Sequence, residues 1–130
     1  MIKASQQGSA AAVTLFYSIF NVNIIETRTW VSVTYDGNII KQAQPNTYTM
    51  SCCGWYNAGD VTTAWVVQST YAMHCHSYKF EYKLCLLGLC APPDQTIGYD
   101  NCIIADVSKG YCDASATGTY SYISTSGSCI

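Results

Sequence analysis

Along this chain no stretch of apolar residues holds a helical period over three turns, whereas alternation and β-branched runs recur. The clearest case is His74 to Leu84, where Tyr78, Phe80, Tyr82 and Leu84 fall on one side and Ser77, Lys79, Glu81 and Lys83 on the other. A period of two over this length predicts a half-buried strand. From Val13 to Ile25, valine, leucine, isoleucine, phenylalanine and tyrosine dominate, which predicts another strand. Thr29 to Tyr35 reads as a further strand, and Asp36-Gly37 as a two-residue hairpin turn. A return over Asn38 to Gln42 would then place Val33 opposite Ile40 and Val31 opposite Gln42. Pro45-Asn46 is expected to break the chain, Thr47 to Cys52 to form a short strand, and Cys53 to Asp60 to form a loop. Val61 to Val67, Cys102 to Val107 and Thr119 to Thr125 complete the expected strands. Ala91-Pro92-Pro93-Asp94 and Ser108-Lys109-Gly110 interrupt them.

Short strands punctuated by turns predict an all-β fold, a small disulfide-stapled β-sandwich or barrel of roughly six to eight antiparallel strands. With 130 residues and 49% hydrophobic content, one domain spanning 1–130 can bury a core of its own. Charged residues make up 11% of the chain, against about 25% in average soluble proteins, so hydroxyl and amide groups must carry the surface. The six basic residues are scattered and the net charge is −2, which argues against nucleic-acid binding through phosphate neutralisation. No run approaches the roughly 18 apolar residues that span a bilayer, so no transmembrane segment is expected.

Cysteine usage changes the picture most. Cys52, Cys53, Cys75, Cys85, Cys90, Cys102, Cys112 and Cys129 are even in number, and none has the C-x-x-C spacing of zinc knuckles or thioredoxin-like sites. A disulfide framework and a secreted, extracellular location are expected, because dense cysteine is rare in reducing compartments. Connectivity is not readable from spacing. Adjacent Cys52 and Cys53 could form a vicinal disulfide or bridge to two different strands. Since neighbouring strand residues face opposite ways, the second arrangement is expected. The apolar run Ala10 to Phe20 lacks a small-x-small cleavage site and is read as strand, the chain being taken as a mature one. No asparagine lies in a glycosylation sequon.

His74-Cys75-His76 places two imidazoles on one strand face, a common way to present metal ligands. The run His74 to Gly88 resembles the first motif of the cupin family, H-x-H, a four-residue gap, glutamate (Glu81), six residues and glycine. That resemblance implies a metal-binding β-barrel with His74 and His76 among its ligands. The second cupin histidine motif is missing, and an odd offset along one strand turns Glu81 away from both histidines. Nucleophilic catalysis needs a hydroxyl or thiol beside a base held by a third group. Only these two histidines could serve, no G-x-S-x-G elbow accompanies them, and the acids Asp60, Glu81, Asp94, Asp100, Asp106 and Asp113 are scattered. The chain is therefore expected not to be an enzyme and to need no cofactor. Trp55-Tyr56, in a glycine-bearing segment, is the candidate contact surface.

The expectation that follows is a secreted β domain acting by extracellular recognition, toxin- or effector-like, with an extracellular protein or cell-surface component as partner. A self-assembling subunit of an extracellular fibre, coat or appendage is the first alternative. A cupin-like metal-binding protein is the second.

Overall fold

The computed structural model describes residues 6–17, 22–83, 85–86, 89–90, 96–118 and 122–126. They form strands β1 (Gln6–Tyr17), β2 (Asn23–Asp36), β3 (Ile39–Ser51), β4 (Trp55–Val67) and β5 (Tyr71–Tyr82). The two-residue β6 (Cys85–Leu86) and β7 (Leu89–Cys90) follow, then β8 (Thr96–Asp106), β9 (Tyr111–Gly118) and β10 (Tyr122–Ser126). Two four-stranded sheets, ordered β10-β1-β2-β3 and β4-β5-β8-β9, make the sandwich, and β6 and β7 pair with each other. All pairings are antiparallel. The all-β sandwich is as expected, although its first five strands run to 12–14 residues and are not short. Among the described residues no helix is long and apolar enough to cross a membrane.

Several local expectations need correction. The run from Val13 to Ile25 is not one strand: β1 ends at Tyr17, β2 begins at Asn23, and the two pair antiparallel. The hairpin turn sits one residue later than expected, at Gly37-Asn38, with Asp36 opposite Ile39. Gly37 alone carries the positive φ (62°), which suits the first central position of a type II′ turn. A bulge between Thr34 and Tyr35 shifts the register again, so Tyr35 faces Ile40, Val33 faces Ala43 and Val31 faces Pro45. Pro45 does not break the chain, because β3 is the sheet's edge, where a missing N–H need not cost a ladder bond.

The segment 53–60 is not a loop either. Only Cys53 and Gly54 turn, and β4 starts at Trp55. Cys53 (φ 66°) and Gly54 (φ 97°) both adopt positive φ, and the Trp55 N–H donates to the Cys52 carbonyl at 3.0 Å, the pattern of a type I′ turn. A Cβ on Gly54 would lie 2.6 Å from the Tyr82 ring, so this turn fits only glycine. Contrary to expectation, Cys52 and Cys53 bond each other. The two residues lie between β3 and β4, in the turn that carries the chain from one sheet to the other. The strand alternation that would aim them to opposite faces therefore does not apply. Cys75 and Cys102 form a second bridge, opposite each other in register on β5 and β8. Cys112 is disulfide-bonded too, and no cysteine among the described residues is free. Cys85 stands opposite Cys90 in backbone register; Cys129 and the expected Ala91–Asp94 interruption lie outside the described residues.

The core has two apolar halves. Ala10, Ala12, Val31, Val33, Ala72, Ile103, Ala105 and Val107 form one, and Ile24, Ile25, Tyr78, Phe80, Ile97 and Tyr99 form the other. Between them lies a buried polar layer. Thr14 and Thr27 bond each other, Asn101 donates to the Thr27 hydroxyl at 2.9 Å, and the Tyr78 hydroxyl bonds Thr29 at 2.7 Å. The Tyr78 hydroxyl also donates to the Arg28 carbonyl, so this layer ties the two sheets together, although the Asn101 side-chain oxygen is buried in it without a partner.

Candidate functional site

The alternation of β5 sends Ala72, His74, His76, Tyr78 and Phe80 inward, all of them buried. The inward face at His74 and His76 looks onto β4, an edge strand interrupted by two bulges. Asn57 faces Phe80 and Gly59 faces Lys79, leaving Ala58 as an extra residue; Thr62 faces His76 and Ala64 faces Cys75, leaving Thr63 as another. Each bulge reverses which residues face inward. Asp60 and Thr62 therefore stand opposite Tyr78 and His76, on the same side as the two histidines.

The result is one continuous hydrogen-bonded chain. Asn57 donates to Asp60 Oδ2 at 2.8 Å, and its carbonyl oxygen accepts the Gly59 N–H at 2.8 Å. Asp60 Oδ1 lies 2.6 Å from His76 Nε2, and His76 Nδ1 lies 2.9 Å from the Thr62 hydroxyl. The same hydroxyl is 3.4 Å from His74 Nε2, and His74 Nδ1 is 3.2 Å from the Trp30 carbonyl oxygen. A carbonyl can only accept, so His74 Nδ1 carries a proton there. Trp65 stands edge-on to the His74 ring and Tyr78 tilts against His76. A groove of about 320 Å³ opens onto Thr62, His74 and His76, with Pro45, Asn46 and Thr47 of β3 as its far wall.

Two ionisable groups here tie stability to pH. Burial pushes the His74 pKa below its ordinary 6.5, against the opposing pull of the Trp30 carbonyl, and the neighbouring His76 adds to the lowering. The hydrogen bonds from Asn57 and His76 hold the Asp60 carboxyl below its ordinary 3.8. In both cases the unfolded chain binds more protons, so stability is complete above the unfolded value and falls as pH drops through it. Acidification is expected to lower the thermal midpoint first below about pH 6.5 and again below about pH 3.8. His74→Gln, which can keep both hydrogen bonds without titrating, should lose the first step. A midpoint that stays flat from about pH 7 to about pH 5 in the unsubstituted protein would count against this assignment.

Glu81 lies on the opposite face of β5, where it accepts a hydrogen bond from Tyr56 and lies 3.5 Å from Lys79. A cupin-type metal centre is not what these residues fit. The glutamate is turned away, the ring nitrogens of His74 and His76 are engaged within the protein, and no group of three or more potential ligands exists among the described residues. Trp55 is packed against the second apolar half, 6.0 Å from Phe16 and 5.4 Å from Tyr82 between ring centres. Tyr56 is exposed beside it, and neither residue is brought to the histidine groove.

A second concavity, of about 530 Å³, lies over β1, β2 and β3. The register aligns Gln7 with Thr34 and Gln42, and Ser9 with Ser32 and Gln44. All six line the hollow, together with Gly8 and Val33. Two rows of amide and hydroxyl groups thus cover three strands without a single charge. Comparison with protein-family models, with curated proteins and with solved structures found no match.

Sequence reasoning singled out His74 and His76 but missed Asp60 and Thr62 as their partners. The D-x-T spacing at 60–62 repeats the H-x-H spacing at 74–76, a signal that two adjacent strands could align those pairs. The uncharged rows were invisible, since they depend on three strands in register.

Proposed function

We propose that this protein is a secreted recognition domain that binds an uncharged, hydroxyl-rich component of the extracellular surface through the concave face of β1, β2 and β3. The observation that carries the reading is the pair of neutral rows, Gln7-Thr34-Gln42 and Ser9-Ser32-Gln44. Amides and hydroxyls both donate and accept, which matches sugar hydroxyls, whereas a charged ligand would find no counter-ion here. A rigid sheet presents these groups with little entropy left to lose on binding. The disulfides support an oxidising compartment.

Assembly into a fibre has less support. The edge strand β3 carries Lys41 and Pro45, and the edge strand β4 carries two bulges, all devices that resist the addition of another strand.

The test is binding of the oxidised protein to an array of neutral extracellular oligosaccharides. Retention of one glycan class, with at least tenfold weaker binding by Gln42→Ala or Gln44→Ala at unchanged circular dichroism, is the expected result; one such lost hydrogen-bonded contact costs about 1.5 kcal/mol or slightly less. No neutral glycan retained, or binding indifferent to both substitutions, would remove this face as the recognition surface.

A further inference from the structure

The histidine groove lies between the sheets at the β3–β4 flank, away from the neutral rows, and its chemistry is of another kind. We propose that Thr62 is a nucleophile activated by His76 and Asp60, able to take an acyl group from a small ester entering the groove.

Nucleophilic catalysis by a hydroxyl needs a base within hydrogen-bond reach and a third group that fixes the base. Thr62, His76 and Asp60 meet both distances, at 2.9 and 2.6 Å. The Asp60 carboxylate can only accept, so His76 Nε2 carries the proton and Nδ1 turns its lone pair to the Thr62 hydroxyl. Asp60 is itself held by Asn57, which also reaches the Thr49 hydroxyl across the flank at 3.4 Å. His76 is buried and cannot swing away, while Thr62 is exposed at the groove. Thr47, two residues from Thr49 and on the same face of β3, adds a hydroxyl to the far wall, where a carbonyl oxygen would develop charge.

A purely structural network would match donors to acceptors. Here one exposed hydroxyl, with a single proton, faces imidazole nitrogens of both His76 and His74. His74 holds its proton on the Trp30 carbonyl side, so its Nε2 is a second acceptor. Surplus base around one accessible hydroxyl is the arrangement that activates it.

In the step itself, Thr62 Oγ1 bonds to the ester's carbonyl carbon as its proton passes to His76 Nδ1. The carbon–alkoxide bond then breaks, and the departing alkoxide takes that proton and leaves as the alcohol. Water attacks the acyl-Thr62 ester, giving its proton to His76. Thr62 Oγ1 recovers that proton as the acid is released.

The experiment uses the oxidised full chain and p-nitrophenyl acetate, with peptide mapping by mass spectrometry. The expected result is a single acetyl group on Thr62, absent in Thr62→Ala and retained in Thr62→Ser. Asp60→Asn should slow acetylation on the order of 10²-fold, the contribution of a correctly held general base. Thr62 left unmodified with p-nitrophenolate released no faster than by Thr62→Ala, or acetylation and release equally fast in Asp60→Asn, would overturn the proposal. Near-ultraviolet circular dichroism checks that the variants fold. Gln44→Ala should acetylate normally, so failure here and failure of the glycan reading remain separable.

Discussion

Phe80→Ala is expected to lower the unfolding free energy by about 3–5 kcal/mol. The phenyl ring is 0% exposed and packs among Tyr78, Ile97 and Tyr99, with its centroid 6.1 Å from that of Tyr99 in an edge-on arrangement. Two effects add: the apolar area of the ring is lost, and the space it leaves cannot close. Collapse is blocked because β5 is an interior strand, bonded to β4 on one side and to β8 on the other. For a domain with total stability of roughly 5–15 kcal/mol, the loss decides whether the variant stays folded when warmed. Urea unfolding of the oxidised protein measures it. A shift in midpoint equivalent to less than about 1 kcal/mol would mean that this half of the core is loosely packed.

The second large effect is at the bridge between β5 and β8. Replacing Cys75 and Cys102 together by alanine is expected to cost about 3.5 kcal/mol, from the chain entropy restored to the unfolded state by opening a loop of 27 residues. The native side should hold its shape without the bridge, since the two residues are already paired in register in the middle of a long ladder, with Cα atoms 4.1 Å apart. Opening Cys52–Cys53 by the same substitutions should cost far less, because a separation of one residue closes almost no loop. Paired urea titrations of the two double variants distinguish the bridges. Equal losses would show that the vicinal ring contributes by some route other than chain entropy.

Much of the fold was readable because it rests on alternation and on turn chemistry. The inward face of β5 follows from Tyr78 and Phe80 alternating with Ser77 and Lys79, and the hairpin before β3 is marked by Gly37. Its register was not readable, because the shift between Thr34 and Tyr35 leaves Lys41 as an extra residue of β3, and no glycine or turn former in Ile40-Lys41-Gln42 marks it. Pro45 misled for a related reason: proline excludes a central strand, and only the sheet order shows that β3 is an edge. The turn at Cys53-Gly54 was legible as a turn but not its length, since Asn57, Gly59 and Asp60 also favour turns and yet serve a bulged strand.

The site was half legible. His74 and His76 could be placed on one face by spacing alone, but their partners lie where the alternation of β4 is inverted. Trp55 looked like a contact residue because aromatic rings in glycine-bearing segments often are; its packing on Phe16 and Tyr82 came from tertiary structure.

The two bulges of β4 have a consequence for how this strand can vary. Trp55 and Trp65 both pair with inward residues of β5, Tyr82 and His74, so the ends of the strand are in phase with each other. Only the stretch from Gly59 to Thr62 is out of phase, inserted between two single-residue offsets that cancel. That stretch behaves as an exchangeable cassette. Its two inward side chains, Asp60 and Thr62, can be rewritten while the anchoring tryptophans keep their places, so the chemistry of the groove can diverge without the fold being renegotiated.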